Sequence, residues 1–292
     1  MKNRISLKRT AGILALALVV PGIVGAAVAA ASAPQDAVTL VYKFAPGTPL
    51  SYKTTGNNVQ NVDIQGQTMT TEIISNMDFT LTPKGLKDGN HLLGLKIDAM
   101  ALSLNGPQGG LTPDMAGIIG KSIDIVLSPR GETVDVSGAA ALTIDMGEGG
   151  QRDMTSDFQG LFDALPDHPV KIGDTWPSQK KITQKSTSGD VNLVLALVNK
   201  LDGLETIDGL SCARIKSTIT GTMSGALNQG GMSLGLDAKM GGNLTWYFAV
   251  KEGYFVKSES VTDVGGTISV EAAGMTLGFS GQQKSTLALV KK

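Results

Sequence analysis

Gly231-Met232-Ser233-Leu234-Gly235 has the G-x-S-x-G spacing that sets a nucleophilic serine on a strand-to-helix turn in α/β-hydrolases. That chemistry needs a base, and the hydrolase order puts its histidine last. The chain's two histidines, His91 and His168, both precede Ser233. Ser178-Gln179-Lys180-Lys181 satisfies S-x-x-K, but the S-D-N and K-T-G partners of that motif are missing. Two histidines 77 positions apart and the single Cys212 make no metal-ligand cluster. Asp145, Glu148 and Asp153 share a glycine-rich loop without EF-hand spacing, which reads as a solvated acidic loop. No catalytic residue, cofactor site or metal site is expected, and the chain reads as a non-enzyme.

The elements around these residues explain why. From Met232 to Val250 the even positions carry Met232, Leu234, Leu236, Ala238, Met240, Leu244, Trp246, Phe248 and Val250. Their odd neighbours include Ser233, Asp237, Lys239, Asn243 and Thr245. Period two over such a run predicts one long strand with an apolar and a polar face, bent or bulged at Gly241-Gly242. Ser233 falls on the polar face inside this strand, and no helical pattern follows to form an elbow. The same alternation marks strands over Met69–Leu81, Leu93–Ala99 and Ala213–Met223, with a bulge expected beyond Ala99 where the phase changes. Met154, Phe158, Leu161, Phe162 and Leu165 lie on one helical face, which predicts an amphipathic helix stopped by Pro166. A shorter helical turn is expected over Thr112–Ile123, with Pro113 in its first position.

Lys2, Arg4, Lys8 and Arg9 precede an apolar run ending in Ala31-Ser32-Ala33, the pattern of an export signal cleaved after residue 33. A bilayer-spanning anchor is the alternative, opposed by Pro21, Gly22 and Gly25 within the run. Neither a lipobox cysteine nor a twin arginine accompanies it. Residues 34–292 then hold 21 Lys and Arg against 26 Asp and Glu. With no basic block, nucleic acid is not an expected partner. The expected location is periplasmic or extracellular. One cysteine leaves no internal disulfide, so packing must supply the stability.

Two stretches of the chain can be superposed. Phe44–Lys53 matches Val170–Lys180, with Gly47 on Gly173, and Ser128–Ser137 matches Val250–Glu259, with Gly131 on Gly253. This predicts a mainly β fold of two similar curved antiparallel sheets, of the open half-barrel type, joined by the helix. The divisions are an export signal at 1–33, a first β repeat at 34–137 and a helical linker at 138–169. A second repeat with a terminal hairpin and last strand fills 170–292. The segments Tyr42-Lys43-Phe44-Ala45-Pro46-Gly47 and Pro169–Trp176 fit Y-x-F-x-x-G and P-V-x-x-G-D-x-W. In these motifs the chain resembles a secreted bacterial family of unknown function with two similar β-rich halves. The resemblance carries no catalytic residues. More loosely, the long amphipathic strands resemble the open half-barrels of periplasmic lipoprotein and lipid carriers, a likeness of architecture that does not fix function.

Methionines on apolar strand faces suit an adaptable apolar pocket, or simply fill a core. The expected ligand-facing residues are Phe158, Phe162, Met232, Met240, Trp246 and Phe248. The first reading is binding of an apolar ligand or lipid in a groove between curved sheets. The second is a structural or protein-interaction module of the envelope that holds no ligand. An outer-membrane barrel is the third, opposed by missing aromatic girdles and the charged terminus Val290-Lys291-Lys292. After signal cleavage the chain is expected not to be an integral membrane protein. Its oligomeric state is left open.

Overall fold

The computed structural model describes residues 36–107 and 109–290. The expected export signal lies outside the described residues. In chain order the strands are β1 (Leu50–Ile64), β2 (Gln67–Lys87), β3 (Asn90–Gly106), β4 (Gly109–Leu111), β5 (Ser122–Leu127) and β6 (Thr133–Asp135). The short strands β7 (Thr143–Asp145) and β8 (Gln151–Asp153) precede helix α1 (Thr155–Gln159). Then follow β9 (Thr175–Ser186), β10 (Gly189–Ile207), β11 (Leu210–Gln229), β12 (Met232–Ala249), β13 (Tyr254–Val270) and β14 (Met275–Leu289). Two-residue turns with positive φ at both positions join several of the long strands, at Gln65-Gly66, Asp88-Gly89 and Asp208-Gly209. Such turns match the right-handed strand twist and fix the hairpin register.

The strands form one antiparallel sheet in the order β6-β5-β3-β2-β1-β14-β13-β12-β11-β10-β9-β8-β7. Two separate sheets were expected, and the last strand is the reason there is one. β14 pairs with β13 from Val270↔Met275 onward and with β1 from Tyr52↔Leu289 to Val62↔Phe279. It covers an edge of each meander that two sheets would leave bare. The terminal hairpin anticipated here forms between β13 and β14 around Glu271–Gly274, and its second arm and the separate last strand are one 15-residue strand. β12 also runs through Gly241-Gly242 with unbroken register to β11, so the bulge anticipated there is absent. The bulge near Ala99 is present, with Asp78 opposite Ala99 and Phe79 opposite Ile97.

Glycines on the inner face let the sheet curl. A Cβ on Gly266 would overlap Asp237 O and lie 2.5 Å from Ala238 Cα, and one on Gly242 would lie 2.8 Å from Thr262 Cα. Both positions share the inward phase of Leu244 and Ile268. The apolar residues of that phase form one core, with Phe79, Leu93, Leu95, Ile125, Ile215 and Phe248 fully buried.

The segment between β6 and β9 packs on this inner face, but not as the long helix expected over Met154–Leu165. α1 has five residues and ends at Gly160. Beyond it, side chains from β9, from the approach to β1 and from the β5–β6 turn take the carbonyls that a continuing helix would use. Lys180 Nζ donates to Gly160 O (2.9 Å), Tyr42 OH to Asp163 O (3.1 Å) and Trp176 Nε1 to Ala164 O (3.1 Å). Arg130 donates to the carbonyls of Pro166 and Asp167. Phe158, Leu161, Phe162 and Leu165 are still buried, reached through an irregular path. The helical turn expected over Thr112–Ile123 is a single hydrogen-bonded turn at residues 116–120, with Ile118 and Ile119 N–H both donating to Met115 O (3.1 Å). A buried bidentate ion pair pins the segment: Arg152 Nη1 and Nη2 donate to Asp157 Oδ2 (2.6 Å) and Oδ1 (3.2 Å). Burial works against the Arg152 charge, and the Asp157 carboxylate overrides it and holds the guanidinium pKa above its ordinary value.

Two outcomes follow for stability, both read by urea unfolding at pH 7. Gly266→Ala is expected to cost about 1–3 kcal/mol through forced backbone displacement. Gly278→Ala, whose Cβ would meet nothing within 4 Å, is expected to be near neutral. Asp157→Leu is expected to cost about 3–5 kcal/mol by stranding the guanidinium, and the double change Arg152→Met/Asp157→Leu to cost clearly less. Equal losses in the single and double variants would show that the pair does not act as a unit.

Candidate ligand-binding interior

Along the inner face the side chains change character from one end of the long strands to the other. At the end where β1 begins, an aromatic cluster closes the interior. Tyr42 meets Phe162 edge-on at 5.7 Å and Phe248 at 5.2 Å. Tyr52 packs on Phe255 at 4.4 Å, and Trp246 meets Phe248 at 6.4 Å. Burial raises the Tyr42 and Tyr52 pKa values well above the ordinary phenol range, and both hydroxyls donate to carbonyls, of Asp163 and Phe255. A buried hydrogen-bond chain crosses four strands beside this cluster. Trp246 Nε1 donates to Ser217 Oγ (3.2 Å), Ser217 to Asn199 Oδ1 (2.6 Å), and Asn199 Nδ2 to Ser178 Oγ (2.9 Å).

On β1, β13 and β14, with one position of β2, the middle of the inner face is polar, while β10–β12 stay apolar there. Thr54, Asn58 and Gln60 on β1, Ser75 on β2, Ser258, Ser260 and Thr262 on β13, and Gln283 and Ser285 on β14 are all at most 7% exposed. The registers set them side by side, with Ser285 opposite both Gly56 and Ser260 and Gln283 opposite both Asn58 and Thr262. Among the described residues the hydroxyls of Ser260, Thr262 and Ser285 have no hydrogen-bond partner. A cavity of about 30 Å³ lies here, lined by Thr54, Ser75, Ser285, Asp157 and Leu161 among others. That is room for about two water molecules.

Toward the opposite end, where β13 turns into β14, the same phase is apolar again, with Leu234, Leu236, Ile268 and Val270 buried and other side chains only half-buried. Val62, Leu227, Met232, Val264, Leu277 and Phe279 line this stretch. The inner wall therefore passes from an aromatic plug, through a polar band, to an apolar mouth.

Of the six residues expected to face a ligand, Phe158, Phe162, Trp246, Phe248 and Met240 are buried in the core, and Met232 is half-buried at the mouth. The structure brings Phe162, Trp246 and Phe248 into the aromatic cluster and leaves Met232 and Met240 farther along β12. The polar band and the Arg152–Asp157 pair were missed. Their signal was present as an interruption: Thr54, Gly56, Asn58 and Gln60 occupy the inward phase of β1, so no apolar alternation marks it.

The residues that first raised the question of chemistry stand apart. Ser233 pairs with Asn228 inside the β11–β12 ladder, away from either histidine. His91 Nε2 lies 3.0 Å from Tyr42 O, and His168 is exposed beside Asp167. Ser178 and Lys181 sit in opposite phases of β9, so S-x-x-K has no common face. Asp145 and Asp153 accept from the Gly147 and Thr155 amides as loop caps, and the described residues hold no cluster of three metal-binding side chains. Cys212 is buried in a small outer cluster with Ala249 and Val256, and burial raises its thiol pKa.

No protein-family model matches the chain, and no curated protein matches it by sequence. Among solved structures, a protein of YmcC-like fold from Bacteroides fragilis is 9% identical, over 88% of this chain and all of its own, with a TM-score of 0.25. An outer-membrane channel from Pseudomonas putida is 10% identical, over 89% of this chain and all of its own, with a TM-score of 0.22. A DUF1329-family protein from Desulfovibrio piger is 10% identical, over 82% of this chain and 84% of its own, with a TM-score of 0.12. Likeness at this level carries no argument about function.

Proposed function

We propose that the chain is an exported, non-enzymatic binding protein that takes an apolar ligand or lipid at the open end of its half-barrel. One observation carries this reading. Val62, Val264, Leu277, Phe279 and Met232 stand in the inward phase of the sheet and are only half-buried, although Leu234, Leu236, Ile268 and Val270 beside them in the same phase are covered. An inner wall of this kind gains free energy from any apolar group that covers it, at about 25 cal/mol per Å². The polar outer face supports a role in water: Lys53 pairs with Asp78 (3.5 Å) and Gln282 bonds Asp263 (2.9 Å) there. A lipid-facing barrel would turn its apolar phase outward. The export pattern of residues 1–33 supports a location in the periplasm or outside the cell.

A second reading, an envelope module that contacts other proteins and holds no ligand, is favoured by the filled aromatic end. The two meanders, β1–β6 and β9–β13, fit the resemblance to a secreted family with two similar halves, divided near 138–169.

The deciding experiment is native mass spectrometry of residues 34–292, purified without detergent from the export compartment. The expected result is an adduct of lipid-like mass that Phe279→Glu and Met232→Glu each reduce without changing the far-ultraviolet circular dichroism. A clean mass, together with no uptake of added lipids, would overturn the ligand reading and leave the envelope module.

A further inference from the structure

The curled sheet does not close. Its ends are β6 and β7, and β9 meets β8 only at Ser186↔Arg152. The rest of β9 is therefore an edge on the side away from β10. It forms one wall of a cleft of about 500 Å³, from Pro177 to Lys181, and Arg130 to Thr133 form the other, with Gln159, Phe162 and Ala164 between them.

The ladder shows which main-chain groups face this cleft. Thr183 N–H donates to Gln159 Oε1 (3.4 Å) and Thr187 N–H to Gln151 O (2.7 Å), both away from β10. In an antiparallel ladder the direction alternates with period two, and a residue's N–H and C=O point the same way. Gln179 and Lys181 therefore aim their N–H and C=O groups into the cleft, and β9 has no strand partner there among the described residues. Pro177, next in the same phase, has no N–H to strand. Thr133 Oγ1 on the facing wall is shielded from water and has no partner among the described residues.

We propose that this edge of β9 is a docking site for an extended acidic peptide, which adds a strand across the seam. The main chain supplies the bonds, and the charges select the occupant. Arg130, Lys180 and Lys181 line the cleft against Glu132, but Lys180 is already paired with Asp163 (2.7 Å), so the exposed Lys181 and Lys185 along the edge carry the charge open to a partner. A second copy docking β9 on β9 would set these lysines against each other, so the site fits an acidic partner and not itself. Antiparallel docking sets the residue opposite Lys181 with its amide toward β9 and its side chain on the lysine's face. An alternating peptide with glutamate in that phase meets both demands. This surface is separate from the apolar mouth and does not depend on a lipid being bound there.

The test is fluorescence anisotropy on residues 34–292, using a labelled seven-residue peptide that alternates glutamate and valine. Saturable binding is expected, weakened about tenfold or more in Lys181→Glu and in the lysine–valine version of the peptide. Methylating the glutamate amide nitrogens is expected to abolish binding, and methylating the valine amide nitrogens to spare it. That comparison does not require any protein variant to fold. No saturable binding, equal binding of the lysine peptide, or equal loss on both methylations would overturn the proposal.

Discussion

A sheet with strands of 15 to 21 residues and one apolar face has to cover that face, and this chain covers it with its own connecting segment. Nearly everything else depends on that arrangement. The connection crosses a strongly curled surface, where a long straight helix would touch only along a line. An irregular path touches more of it, but leaves main-chain carbonyls without helical partners, each costly if buried unpaired. The missing donors come from Trp176 and Lys180 on β9, from Tyr42 ahead of β1 and from Arg130 in the β5–β6 turn. Covering segment and sheet are therefore specified together, since the donors lie on β9 and on the connections that flank β1 and β5.

This mutual dependence sets what could be read from the sequence. Long-strand alternation was legible because only nearest neighbours along the strand are involved. β12 and the bulge near Ala99 were visible for that reason. The helix over Met154–Leu165 was misjudged because the spacing of Phe158, Phe162 and Leu165 records burial on one side, and an irregular segment over a curved sheet buries one side too. Gly160 was the local warning, but the decisive partners are distant: Lys180 is 20 residues away and Tyr42 is 121 residues from Asp163. The single sheet was hidden for a similar reason. Nothing within β14 announces that it will pair with β1, more than 200 residues earlier.

The polar band was the least legible part of the interior, and its chemistry sets it apart from the rest of the core. Ser260, Thr262 and Ser285 are buried with unpaired hydroxyls, and a buried polar group without a partner costs about 1–3 kcal/mol. Valine or alanine would remove that penalty at little change in volume. These groups lie between the aromatic plug and the apolar mouth, so whatever enters the mouth meets donors and acceptors at its inner limit. The candidate site was legible only at its rim, through Met232. Residues such as Phe158 and Trp246 earned attention as large apolar groups on a patterned face, which is also the description of a well-filled core.

Two places among the described residues where coverage is incomplete are of different kinds. At the mouth, side chains packed on the core are only partly covered, and the missing interaction is apolar burial. At the β9 seam, main-chain groups lack neighbours, and the missing interaction is directional. Pro177 marks that difference in the sequence. A proline is tolerated where no ladder bond is made, so its position identifies the outer side of β9 as an edge. Exposed edges invite pairing with other chains, and surface lysines are a common restraint on it. Lys181 and Lys185 on this edge oppose a like-charged copy while leaving an acidic strand free to approach. One pair of side chains thus accounts both for the edge remaining open and for what it would accept.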